Sequence, residues 1–170
     1  MRVLGIDEYP PASLLARCRE RGAWTDCYAV RLDRAVSLTE FVDAFYTTPL
    51  FRLERLILDI FLSRSSTDAQ ARQLASGQLD QFAAWQVEAR AERQLLMVDL
   101  TGTTRSWFMC EPSLVNNASQ ASLYFGSAIE KNAKATNGAA KLTTLFRVLL
   151  PFHRIYSRAL LWSAKRRLST

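Results

Sequence analysis

Few residues in this sequence have the type and spacing to carry chemistry, and the sole histidine, His153, is the first of them. An imidazole with an ordinary pKa of about 6.5 can serve as an acid, a base or a pH sensor. His153 lies on the same predicted helical stripe as Leu149, Tyr156 and Leu160. A single histidine on an apolar helix face is usually a core residue, so we interpret it as core, with a ligand contact as the alternative.

Arg105 is the second candidate, because it alternates with Trp107 and Met109 along a predicted strand and therefore shares their face. A two-residue hairpin loop would add Leu96 and Val98 to that face. Burying an unpaired charge is costly, so a guanidinium there needs a partner or an anionic ligand. Arg105 is therefore either exposed or paired with a carboxylate, or it is the anchor for a carboxylate or phosphate headgroup.

The sequence lacks the common patterns of catalytic and metal sites. It has no Cys-x-x-Cys pair and no second histidine for zinc, no Gly-x-Ser-x-Gly elbow and no phosphate loop. Its cysteines, Cys18, Cys27 and Cys110, are odd in number and scattered, which favours buried thiols in a reducing compartment. We predict no catalytic residue, no metal and no cofactor, and a cytoplasmic location.

The elements that would position these residues form an α+β pattern in a single domain over residues 1–170, with residues 1–24 as an N-terminal extension. A short helix over 12–21 precedes the first strand. Capping boxes that begin at Ser37 and Thr67 predict helix starts. A further helix follows Pro49, and its predicted polar face carries Arg52, Glu54, Arg55 and Asp59. From residue 82 the apolar period becomes that of strands. The predicted strands are 27–32, 85–90, 95–100, 104–110 and 119–129.

A long C-terminal helix over 139–168 is predicted by apolar residues at spacings of three and four, including Leu145 and Leu149. It is the only predicted element large enough to cover one face of the sheet. Nine basic residues and no acidic residue follow Glu130, against a net charge of +6 for the whole chain. The end of the chain is therefore strongly basic and the rest slightly acidic.

The basic residues of this helix form a stripe of their own: Arg147, Arg154, Arg158 and Lys165. The aromatic residues lie elsewhere around the helix, so the pattern does not predict a platform for nucleic acid bases. Because no inserting residues share the basic stripe, we expect at most weak, salt-sensitive contact with an anionic membrane. The sequence makes no prediction of an oligomeric state.

Two segments resemble an uncharacterised bacterial branch of the START-like (SRPBCC) superfamily: FYTTP at 45–49 and PFHRxxxRxLL at 151–161. The resemblance covers most of the chain from about Cys27 onward. It implies the helix-grip fold, a curved antiparallel sheet wrapped around a long C-terminal helix, with short helices after the first strand. That fold usually has six or seven strands, whereas five are predicted here, and the helix over 12–21 is an addition. A missed strand near Ala35, or the break of one long segment into two at residues 90–93, would repair the count.

The resemblance also implies a cavity between the sheet and the terminal helix for a small hydrophobic or amphipathic molecule, without a common catalytic residue. We expect large apolar and aromatic side chains to line it, with Arg105 as the polar anchor. The predicted lining is Trp85, Leu96, Val98, Arg105, Trp107, Met109, Tyr124, Phe125, His153 and Tyr156.

Three functions follow from these patterns. The leading hypothesis is an intracellular binding protein for a lipid-like or aromatic molecule. The second is an enzyme of the cyclase, dehydratase or hydrolase type that uses His153 or a pocket carboxylate such as Glu88 or Asp99. The third is a peripheral membrane or scaffold protein that uses the basic helix. A polar group deep in the cavity with a shifted pKa would favour the enzyme over the carrier.

Overall fold

The computed structural model describes residues 3–6, 9–62, 66–115, 118–130 and 139–169. Within these ranges the protein is an α+β fold built from a seven-stranded antiparallel sheet and five helices. The elements in chain order are β1 (Leu4–Gly5), α1 (Leu14–Glu20), β2 (Trp24–Leu32), α2 (Leu38–Tyr46), α3 (Pro49–Leu62), α4 (Asp68–Ala75), β3 (Gln81–Phe82), β4 (Trp85–Ala91), β5 (Gln94–Asp99), β6 (Thr104–Val115), β7 (Ala118–Ile129) and α5 (Ala139–Ser169).

Both predicted capping boxes are present. Ser37 Oγ accepts a hydrogen bond from the backbone N–H of Glu40, and the Glu40 carboxylate accepts one from the backbone N–H of Ser37; Thr67 and Gln70 are paired in the same way. The reciprocal bonds satisfy amides that the first turn of a helix leaves without partners. These local signals therefore fix where α2 and α4 begin.

The sheet has the strand order β1-β2-β7-β6-β5-β4-β3, and every neighbouring pair is antiparallel. The prediction of five strands was wrong by two, because β1 and β3 each contain two residues and are too short to show alternation. Both lie at the edges of the sheet, and no strand forms near Ala35. The five predicted strands correspond to β2, β4, β5, β6 and β7.

Helices cover both faces of the sheet. The inner face, which carries Tyr28, Phe108 and Phe125, packs against α2 and the buried residues of α5. The outer face, which carries Cys27 and Trp107, packs against α1. The alternation of side chains along each strand separates the two cores.

The C-terminal half of α5 belongs to the inner core, as predicted. Leu160 is 3% exposed and Leu161 and Ala164 are fully buried, while Tyr156 is partly buried against the same core. The side chains of Leu145 and Leu149 lie outside the described residues. The helix runs through residue 151 without restarting there. No helix in the described ranges contains a stretch long and apolar enough to cross a bilayer.

Candidate functional site

The predicted cavity wall is divided between the two faces of the sheet. Leu96 pairs with Trp107 and Val98 with Arg105, which is the register that a two-residue hairpin loop gives. This face, however, is the outer one: Leu96, Trp107 and Met109 are buried in the core beneath α1. The prediction that these five residues line a space under the terminal helix was therefore wrong.

The helix α1 closes the outer face tightly. The side chain of Leu15 lies over the backbone of Gly126. A Cβ added to Gly126 would lie 2.6 Å from Cδ2 of Leu15. The indole N–H of Trp107 and the backbone N–H of Leu14 both donate to Oε1 of Gln94, at 3.0 and 2.8 Å. The predicted short helix was treated as an addition to the fold, but it supplies the cover that the outer face requires.

Arg105 is paired with carboxylates. Its Nε lies 2.5 Å from Oε2 of Glu88 and its Nη1 3.2 Å from Oε1 of Glu130, and its side chain is 11% exposed. Arg21 contacts the same two carboxylates, at 3.4 and 3.9 Å. Two positive and two negative groups thus form a matched network at the rim of the outer face. Of the interpretations from sequence, the paired arginine is correct, and the anchor beneath α5 is not.

The remaining predicted residues also divide between the faces. Tyr124 lies on the outer face, where its hydroxyl donates to Oε2 of Glu111 at 3.1 Å, so its place in the cavity wall was wrong. Trp85 and Phe125 lie on the inner face, Trp85 partly buried and Phe125 4% exposed. His153 and Tyr156 approach the inner side from α5.

His153 meets two polar residues of the inner face. Its Nε2 lies 3.1 Å from Oγ of Ser127 and 3.6 Å from Oδ2 of Asp26. Asp26 on β2 is directly opposite Ser127 on β7 in the strand register. The Asp26 carboxylate also accepts hydrogen bonds from the hydroxyl of Tyr28 and the backbone N–H of Ser127. Burial and the nearby Asp26 charge raise the pKa of Tyr28.

This group does not have the geometry of a serine-hydrolase triad. In such a triad one ring nitrogen faces the serine and the other faces the carboxylate. Here Nε2 of His153 faces both Ser127 and Asp26. Ser127 is also 1% exposed, so its hydroxyl is not presented to a substrate. The arrangement instead ties α5 to two strands through polar contacts.

A second polar pair lies one helical turn further along α5. The hydroxyl of Tyr156 donates a short hydrogen bond to Glu54 on α3. Burial raises the pKa of Glu54, an effect that the bond from Tyr156 partly opposes. Burial and the Glu54 charge raise the pKa of Tyr156. Glu54 is therefore a carboxyl group whose neutral form is favoured by its surroundings.

The inner face is less completely covered at one end. In the middle of the sheet, Phe108 and Phe125 are almost fully buried. Two residue pairs further along, Ser106 is half-buried opposite Ser127. Trp24, Thr104 and Ile129 continue the same face and are also half-buried. The ring of Trp24 meets that of His153 edge-on at 6.5 Å between centroids. His153 is thus at the border between the packed core and the partly open end.

We call these five residues the helix–sheet site: Asp26, Glu54, Ser127, His153 and Tyr156. Sequence patterns identified only the two on α5. Glu54 was assigned to the exposed face of its helix, and Asp26 and Ser127 precede or follow apolar strand residues without a distinguishing motif. The predicted pocket carboxylates lie elsewhere: Glu88 is in the outer network, and Asp99 accepts bonds from the backbone of the β5–β6 turn.

Comparisons with protein-family models, with curated proteins and with solved structures gave no match to this chain. In the described parts of the chain no group of three or more His, Cys, Asp or Glu side chains is placed to hold a metal ion. All three cysteines are buried and unpaired, and burial raises the pKa of Cys27 to about 12 and that of Cys110 to about 11.

Proposed function

We propose that the protein binds a small amphipathic molecule at the helix–sheet site. The observation that carries this proposal is that the inner side of α5 makes polar contacts, His153 with Ser127 and Asp26 of the sheet and Tyr156, one turn on, with Glu54 of α3. A core that served only stability would place apolar groups there, because each buried polar group needs a partner to offset its lost hydration. The imidazole of His153 is partly exposed, with 29% of its side chain accessible, so a ligand can reach the site from solvent there.

We propose further that the chain has the helix-grip architecture of the START-like superfamily. Three features support this proposal: the seven antiparallel strands, the helices α2 and α3 after the first long strand, and the terminal helix on the inner face. In that architecture the space between helix and sheet is the ligand site. The three unpaired cysteines support the intracellular part of this proposal, because free thiols persist in a reducing compartment.

The chemistry of the site favours a ligand whose polar end donates hydrogen bonds. The two carboxyl groups that contact α5 there are Asp26 and Glu54; Arg154 and Arg158 line the groove beside Asp26, and Arg105 lies on the opposite face. At Glu54 a carboxylate ligand would meet a second carboxyl group, whereas an alcohol or an amine would find an acceptor. The apolar part of the molecule would lie against Trp24 and Ile129, which are half-buried on the same face.

The test begins with mass spectrometry of the natively purified protein to detect a bound small molecule. Titration with a long-chain alcohol and with the matching fatty acid, followed by tryptophan fluorescence, then measures the preference. We expect tighter binding of the alcohol, and a loss of about threefold to tenfold in Tyr156→Phe, the size of one hydrogen bond.

The matched control is Tyr124→Phe, which removes the corresponding Tyr–Glu hydrogen bond on the outer face. We expect this variant to bind both ligands as the wild type does. Equal weakening by the two substitutions, or an unchanged affinity in Tyr156→Phe and His153→Ala together, would contradict the placement of the site.

The second candidate function is an enzyme that transfers a proton, and Glu54 is the observation that favours it. A buried carboxyl group with a raised pKa beside a tyrosine hydroxyl is suited to act as a general acid or base. If the co-purified molecule is converted by the wild type and not by Glu54→Gln, the enzyme is correct. Binding without conversion in both proteins supports the carrier.

A further inference from the structure

We infer that the outward face of α5 binds the surface of an anionic phospholipid membrane. This inference does not rest on ligand binding at the helix–sheet site, which lies on the inner side of the same helix. It starts from three large apolar residues that the fold leaves uncovered. Phe152, Ile155 and Trp162 are 67%, 68% and 48% exposed.

These three residues form one stripe. With Ala159 between them, they recur every three or four positions and therefore lie on one side of the helix. The opposite side, with Leu160, Leu161 and Ala164, is buried in the inner core. Residues 152 to 162 span about 15 Å along the axis. The exposed stripe thus lies on the same part of α5 that is anchored in the core through its other side.

Arginines border the stripe. Arg154, Arg158 and Arg166 are exposed, and the guanidinium of Arg166 lies 4.9 Å from the ring centre of Trp162. Arg154 and Arg158 also line an open groove of about 590 Å³ along β2, where they outnumber Asp26, the single carboxylate among its described lining residues. From sequence, the basic stripe was expected to have no membrane-inserting residues beside it. The structure differs, because the exposed apolar side chains of Phe152, Ile155 and Trp162 border the arginines.

The neighbouring helix also exposes apolar residues. Leu53 and Leu56 on α3 are each 55% exposed, and α3 is joined to α5 by the Glu54–Tyr156 hydrogen bond. Phe152 stacks on Tyr156 with an angle of 7° between the rings. The contact with Glu54 therefore holds the start of the exposed stripe against α3.

Charge complementarity indicates which partner binds the exposed face of α5. A helix lies in a membrane interface when apolar and aromatic residues enter the acyl boundary while cations meet anionic headgroups. A second copy of the chain would bring the same arginines against one another, which disfavours self-association through this face. The absence of acidic residues after Glu130 gives the same preference.

The test is co-sedimentation of the full chain with vesicles of phosphatidylcholine alone and of phosphatidylcholine mixed with phosphatidylglycerol. We expect binding to the anionic vesicles, and weaker binding when salt is raised. Removing two cations in Arg154→Gln/Arg166→Gln should weaken it by about fivefold for each charge. Removing apolar area in Ile155→Ser/Trp162→Ser should weaken it by at least about tenfold.

Two matched controls test whether the position matters. Leu114→Ser removes an apolar residue that is 76% exposed at the far end of β6, and Arg93→Gln removes an exposed cation from the β4–β5 turn. Both should bind as the wild type does. Equal binding to neutral and anionic vesicles, no binding to either, or equal losses in the controls would overturn the inference. So would a dimer in solution that Ile155→Ser/Trp162→Ser converts to a monomer, since the occupant would then be a second copy.

Discussion

On the outer face of the sheet, α1 presses Leu15 onto Gly126 and Trp107, and the charged groups form a paired network at the rim. On the inner face, α5 places an imidazole beside Asp26 of β2 and a phenol beside Glu54 of α3. One sheet therefore has an apolar, closed side and a side with polar groups inside. The two faces differ because different helices cover them: α1 buries Leu14, Leu15 and Cys18, whereas α5 also brings His153 and Tyr156.

The largest effect that the comparison predicts is at Trp107. The side chain is fully buried beneath α1, so Trp107→Ala should lower the free energy of unfolding by about 3–5 kcal/mol, through lost burial and a cavity. Denaturant unfolding measures this. Leu160→Ala removes a smaller side chain from the inner core and should cost about 2–5 kcal/mol. A loss below about 1 kcal/mol in Trp107→Ala would mean that α1 does not close the outer face.

A smaller effect is expected at Arg105, whose loss would leave Glu88 and Glu130 with Arg21 as their shared cation. Because the side chain is 11% exposed, Arg105→Ala should cost about 1–3 kcal/mol in unfolding free energy. Arg93→Ala, which breaks an exposed ion pair with Glu92, should cost less than about 0.5 kcal/mol. Arg105→Ala should leave the affinity for fatty acids unchanged. Lost affinity with full stability would restore Arg105 as a ligand anchor.

The fold was more predictable from sequence than the site. Capping boxes and apolar periods act over a few residues, so α2, α4 and the five long strands could be predicted. The two-residue strands could not, because they form only through pairing at the sheet edges. Whether a strand face lies under α1 or α5 depends on contacts between residues far apart in sequence, and for that reason Trp107 and Tyr124 were placed on the wrong side.

The same limit explains why the charged residues of α3 were expected to be exposed. The helical period assigned Glu54 and Arg55 to the polar, exposed face. In the structure Arg55 is 9% exposed, with Nη1 at 2.6 Å from Oδ1 of Asp68, and Glu54 faces Tyr156. A partner from another element allows a charged side chain to be buried. Periodicity records only the average polarity of a position, so it does not reveal such partners.

The smallest and most specific effect concerns Glu54 and pH. Burial holds its pKa above the ordinary value of 4.5, so at intermediate pH the folded protein keeps a proton that the unfolded chain has released. The unfolded state then binds fewer protons, and stability falls as pH rises from about 4.5 through the raised pKa. Glu54→Gln lacks this titration and should be more stable at neutral pH, by less than about 1 kcal/mol. Urea unfolding across this pH range gives the difference between the two proteins. Glu111→Gln, which alters the Tyr–Glu pair of the outer face, is the matched control. A gain in unfolding free energy that is equal for both substitutions, or the same at every pH, would mean that Glu54 does not have a raised pKa. It would also remove the observation that favours an enzyme.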